Sequence, residues 1–150
     1  MEPRLDYVKA APDAYKAMLG LEAAVRRLGI DRTVLELIKI RASQINGCAF
    51  CLDMHTRDAR KQGETEERIY QLSAWHESPA FTPRERAALG WTDALTLVAE
   101  THAPDDVYEE ARRHFSEKEL VDLTLAVVTI NAWNRLAVGF RRMPDLKPPN

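Results

Sequence analysis

The sequence predicts an all-helical fold, and three observations carry that prediction. Apolar residues recur at intervals of three and four along almost the whole chain, the period of a helix that buries one face. Almost no run of β-branched residues alternates cleanly with polar ones, so strands have no support. The breaks between apolar stripes hold helix punctuation: aspartate, serine and threonine caps, first-position prolines and glycine stops. At 150 residues the chain can bury a sizeable core without covalent support, so a single-domain bundle of about six to seven helices spanning 1–150 is expected.

Each element follows from these signals. Pro12 suits a first helical position, and Tyr15, Met18, Leu19, Val25 and Leu28 form a stripe that ends near Gly29. Asp31 caps the next helix. That segment, Val34 to Ile45, is apolar on more than one side and is the expected central helix. Asn46-Gly47 stops it, because either residue tolerates the left-handed conformation, and Cys48 then begins a third helix running to Gly63. A short helix from Glu66 to Trp75 follows Thr65. Ser78 to Phe81 reads as a loop, after which Thr82-Pro83-Arg84-Glu85 joins an N-cap, a first-position proline and a reciprocal glutamate. The helix it opens carries Leu89, Trp91, Leu95 and Val98 and is expected to fray near Ala103-Pro104. Asp105 to His114 forms another short helix. Ser116 and Glu119 repeat the capping box and launch a long final helix through Leu120, Leu123, Val127, Ile130, Leu136 and Val138. A Pro-rich tail, 143–150, closes the chain.

Composition narrows the function classes. With 21 basic and 23 acidic side chains interspersed, the chain has no footprint for nucleic acid or an anionic membrane. The N-terminus lacks a basic start followed by an apolar run, and no apolar stretch is long enough to span a bilayer, so a cytoplasmic location is expected. In a reducing compartment a close pair of thiols is catalytic, redox-sensing or metal-binding rather than a staple.

Both cysteines lie in Gly47-Cys48-Ala49-Phe50-Cys51-Leu52-Asp53-Met54-His55. Thiols three positions apart in a first helical turn can close into a disulfide, and a side chain four further on shares the second sulfur's face. Backbone amides at a helix N-terminus favour the thiolate, most directly at Cys48. His55 can move protons to and from Cys51. Glu36, on an otherwise apolar helix, can orient the imidazole. Glu36, Cys48, Cys51 and His55 are therefore the candidate catalytic residues. Two alternatives stay open for the thiols: small buried hydrophobes, or a zinc site completed by His55 and Glu36. Against zinc, structural sites usually present a second close pair of ligands, and a carboxylate is a hard ligand among soft ones. Arg41, Arg57 and Arg135 could bind a small acid, although surface ion pairs also explain them. His76, His102 and His114 read as loop or surface residues without catalytic partners, and Trp75, Trp91 and Trp133 as core or interface anchors.

At these residues the chain resembles the alkyl hydroperoxidase D-like, carboxymuconolactone decarboxylase superfamily. Its redox branch carries a glutamate, eleven intervening residues and then Cys-x-x-Cys-x-x-x-His, which Glu36, Cys48, Cys51 and His55 match without a gap. The likeness extends through Cys51 to Thr56 and Ile130 to Arg135, from about Pro12 to Arg142. It implies an all-helical fold assembled as trimers or hexamers, with peroxidase and disulfide-reductase activity at the Cys-x-x-Cys helix; separately, no cofactor or metal is expected. By that resemblance Cys51 is the peroxidatic thiol and Cys48 resolves its sulfenic acid. An external dithiol, protein or small molecule, restores the pair, while Glu36 and His55 relay the proton. Founding redox members place a second histidine between the cysteines. This chain has Phe50 there, which removes one group from thiol activation. The decarboxylase branch lacks the cysteine pair.

Overall fold

Local capping chemistry sets most helix starts, as the sequence predicts. The computed structural model describes residues 2–146, and among them nine α-helices and no strand. In chain order they are α1 (Tyr7–Ala10), α2 (Pro12–Arg26), α3 (Arg32–Ile45), α4 (Ala49–Lys61), α5 (Glu66–Gln71), α6 (Pro83–Thr96), α7 (Val98–Thr101), α8 (Asp105–His114) and α9 (Glu117–Gly139). Asp31 accepts from the Val34 amide at the head of α3, and Thr65 accepts from Arg68 at the head of α5. Both expected capping boxes form, Thr82 with Glu85 on α6 and Ser116 with Glu119 on α9.

Nine helices exceed the expected six to seven because of two short turns. The Asp6 carboxylate accepts from the amides of Val8 and Lys9, which is enough to wind α1. The helix opened by Thr82 breaks at Leu97 (φ −100°, ψ 31°), so α6 and α7 are separate. The Thr101 hydroxyl bonds the Ala94 carbonyl across that break, and the chain leaves through left-handed His102 and Ala103 before Pro104. The segment expected to be helical through Trp75 tightens after Gln71 into a 3₁₀ turn, Leu72–Ala74. The Pro-rich tail lies outside the described residues from 147 onward.

Helix α3 is the central element. Leu37, Ile38, Ile40 and Ala42 are sealed from solvent against α4, α6 and α9. Each large aliphatic buried this way stabilises the fold by roughly 1.5–3 kcal/mol. One core cluster centres on α3, α6, α8 and α9 and includes Trp91, whose indole donates to Thr124 at 2.9 Å. A second, around Leu72 and Phe81, includes Trp75, whose indole donates to Asp93 at 3.1 Å. These two tryptophans are core anchors, with the N–H satisfied as burial requires.

Helix α2 behaves differently. Of its apolar stripe only Val25 is fully buried, while Tyr15 is half-buried and Leu19 exposed. Tyr15, Leu19 and Val25 line a cleft between α2, α3, α4 and α9, while Val25 also joins the first core cluster, with Leu28 packed against it. Along α9, Val121 and Val128 remain 68% and 51% exposed, so this chain alone does not enclose its longest helix.

Candidate active site

The mouth of α4 is built by backbone geometry. Gly47 takes φ +64°, the left-handed conformation that ends α3, and turns the chain so that the Cys48 amide bonds the Ser43 carbonyl at 2.9 Å. Cys48 is the N-cap of α4 rather than a member of its first turn: its backbone is extended, and its sulfur accepts from the Cys51 amide at 3.3 Å. The two sulfurs are joined as a disulfide with the Cα atoms 5.4 Å apart. Both cysteines are buried, packed on Ala137 of α9 with Phe50 at their side. Their surroundings differ in one respect. Cys51 lines the cleft and Cys48 is not among its lining residues.

His55 sits one turn after Cys51 and is only 6% exposed. Its Nδ1 lies 3.1 Å from Glu36 Oε2, so the glutamate expected to orient the imidazole contacts it directly from α3. With Glu36 ionised its carboxylate only accepts, which selects the tautomer that carries the proton on Nδ1 and leaves Nε2 unprotonated. Glu36, Cys51 and His55 all line the same cleft, of about 610 Å³.

Sequence reasoning missed several residues of that cleft. Lys39, one turn beyond Glu36 on α3, is buried and donates to Glu22 Oε1 at 2.7 Å. Glu22 Oε2 accepts from the Trp133 indole at 3.2 Å, so Trp133 belongs to the cleft wall rather than the core. Burial alone would raise the Glu22 pKa, but the hydrogen bond and charge of Lys39, with Arg26 and His55, outweigh it and hold the carboxyl below its ordinary 4.5. A charged residue in an apolar helix was the signal that singled out Glu36, and the same signal applied to Lys39. Tyr7 and Arg142 also line the cleft, from opposite ends of the chain, and Arg142 stacks 4.1 Å above the Phe50 ring.

Other candidates lie elsewhere. Arg41 is forked onto Asp93 at 2.7 and 2.9 Å, Arg57 pairs with Asp53, and Arg135 bonds Asn131; none of the three lines the cleft, which leaves them no role in binding an acid there. His76 and His114 do have carboxylate neighbours, Asp93 at 3.7 Å and Glu110 at 3.2 Å, but both lie away from the thiols. Among the described residues no group of three or more His, Cys, Asp and Glu side chains is placed to hold a metal ion. No helix of the described residues is long and apolar enough to cross a membrane.

An all-helical chain whose Cys-x-x-Cys opens a helix beside a Glu–His pair defines a class that comparison with known proteins makes explicit. The chain belongs to the carboxymuconolactone decarboxylase family, whose model matches residues 12–94. The uncharacterised protein YdfG of Bacillus subtilis is 48% identical over 139 residues, 93% of this chain and 95% of that one. A solved structure from Agrobacterium tumefaciens superposes with a TM-score of 0.95 at 50% identity, covering 97% of this chain and 100% of that one. It is a protein of unknown function suggested to be the antioxidant defence protein AhpD. The alkyl hydroperoxide reductase AhpD of Hyphomonas neptunium is 44% identical over 41 residues, 27% of this chain and 23% of that one.

Proposed function

We propose that the chain acts as a single alkyl hydroperoxidase D-like domain, a cytoplasmic thiol peroxidase that reduces small organic hydroperoxides through a Cys48–Cys51 disulfide. One observation carries this proposal: Cys51, and not Cys48, opens onto the cleft that the Glu36–His55 pair also lines. In the reduced enzyme the Cys51 thiolate attacks the distal oxygen of R–O–O–H. The O–O bond breaks, the alkoxide leaves with a proton relayed by His55 and Glu36, and Cys51 becomes a sulfenic acid. Cys48 then attacks that sulfur, water leaves, and the disulfide forms. An external dithiol supplies two electrons and two protons to restore both thiols, becoming a disulfide itself.

The test is peroxide consumption by pre-reduced protein with a dithiol present. Cys51→Ser abolishes turnover, and Cys48→Ser accumulates a trapped sulfenic acid. Thiol titration shows two thiols lost per chain on adding peroxide and recovered with dithiol. Undiminished consumption in the Cys51→Ser protein rules the mechanism out. Activity that survives loss of both cysteines supports decarboxylase-like chemistry on a small acid instead.

We also propose a homo-oligomer, a trimer or hexamer, in which a second copy covers the exposed Val121 and Val128 of α9. Light scattering that finds only monomer refutes it.

A further inference from the structure

The other polar groups of the cleft mostly have partners. Lys39 and Arg26 lie against Glu22 at 2.7 and 3.5 Å, the His55 ring contacts Glu36, and Asp58 faces Lys61 at 3.5 Å. Arg32 is exposed at the edge. Arg142 is different: it is half-buried, yet its guanidinium has no carboxylate partner among the described residues. What holds it is neutral. Its main-chain amide bonds the Ala137 carbonyl at 2.8 Å, one Nη1–H donates to the Tyr7 hydroxyl at 2.9 Å, and one face lies on Phe50.

That arrangement fixes the plane of the group while using one of its five N–H donors. The remaining fork suits a carboxylate, which accepts two parallel hydrogen bonds from a guanidinium. Its position matters as much as its charge. Phe50 stands between the two cysteines, and Ala137, which carries the Arg142 amide, packs on both of them. The rest of the cleft offers apolar surface on Tyr15, Leu19 and Trp133. A volume of about 610 Å³ far exceeds what a bare peroxide needs, since a water molecule occupies about 30 Å³.

We propose that the cleft takes a carboxylate-bearing organic hydroperoxide: the carboxylate on Arg142, the hydrocarbon against Tyr15, Leu19 and Trp133, and the peroxide at Cys51. The proposal rests on the thiol peroxidase function above and names its substrate class. The carboxylate passes through the reaction unchanged, so the acid hydroperoxide leaves as the hydroxy acid.

The experiment compares kcat/KM for a carboxylate-bearing alkyl hydroperoxide and its methyl ester, with saturating dithiothreitol as a neutral reductant. The wild-type protein is expected to favour the acid by roughly tenfold or more, the size of a charge-assisted hydrogen bond. In Arg142→Gln the ratio falls to near one, and Arg142→Lys, which keeps the charge without the fork, lies between. Because each ratio is read within one protein, an overall loss from disturbed packing on Phe50 cancels. A wild-type ratio near one, or a ratio unchanged in Arg142→Gln, overturns the proposal.

A second measurement needs no turnover. Calorimetry with decanoate on the Cys51→Ser protein is expected to show saturable binding that weakens roughly tenfold when Arg142→Gln is added. Absence of saturable binding, or binding indifferent to Arg142, overturns the anion site. Arg142-dependent decanoate binding in a protein that turns over no hydroperoxide sinks the peroxidase function and leaves the site standing. Turnover without any preference for the acid does the reverse.

Discussion

Replacing Lys39 with methionine tests how the cleft wall is held together. Lys39 Nζ and Glu22 Oε1 are 2.7 Å apart with side chains 4% and 14% exposed, so removing the ammonium strands a carboxylate of which little reaches water. Breaking a buried pair from one side costs about 3–5 kcal/mol. Glu22 keeps the Trp133 indole at 3.2 Å and Arg26 at 3.5 Å, which places the cost at the low end, about 3 kcal/mol. For a chain of this length that lowers Tm by about 6–12 °C. The pH dependence has a definite sign. Lys39 and its neighbours hold the folded-state pKa of Glu22 below 4.5 against the opposing effect of burial. A lowered carboxylate stabilises the fold above its unfolded pKa and loses that contribution as pH falls through the folded value. Lys39→Met removes the cause of the lowering, so the Tm gap to wild type is widest near neutral pH and narrows below about pH 4.5. Glu22→Gln added to Lys39→Met recovers part of the loss, since no buried charge then lacks a partner. Thermal melts at about pH 7 and about pH 3.5 check this. A neutral-pH Tm within about 2 °C of wild type, or a gap that ignores pH, refutes the reasoning.

Glu36→Gln keeps the shape of the Glu36–His55 contact but removes its charge, and is expected to slow peroxide reduction by roughly 10–100-fold, the value of a charge-assisted hydrogen bond. Stopped-flow rates within twofold of wild type would deny Glu36 a part in the reaction. Gly47→Ala meets no atom within 4 Å of the new Cβ, so its cost is that of a left-handed backbone alone at φ +64°. That is about 1–2 kcal/mol, or about 2–8 °C in Tm, and an unchanged melt would mean the turn before Cys48 does not need glycine.

Most of the fold was legible in the sequence because its punctuation is local. Asp31, Thr65, Thr82 and Ser116 each cap a helix by bonding an amide three residues on, so the pattern is visible within one window of chain. The same locality misplaced Cys48 by one position, since an N-cap and a first helical residue share a signature until the backbone angles are known. Asp6 and the break at Leu97 went unread because each governs only a single turn.

The chain by itself determined the helices, the proximity of the two thiols and the turn that separates Cys51 from His55, since all of these depend on residues within four or five positions of one another. Only the tertiary structure decided that Glu36 meets His55, that Lys39 holds Glu22 against Trp133, and that Arg142 reaches back to Tyr7 and Phe50. Those partners lie between 17 and 135 residues apart in the chain, and they meet because helices pack along apolar faces that leave no trace in the spacing of the charged residues they carry.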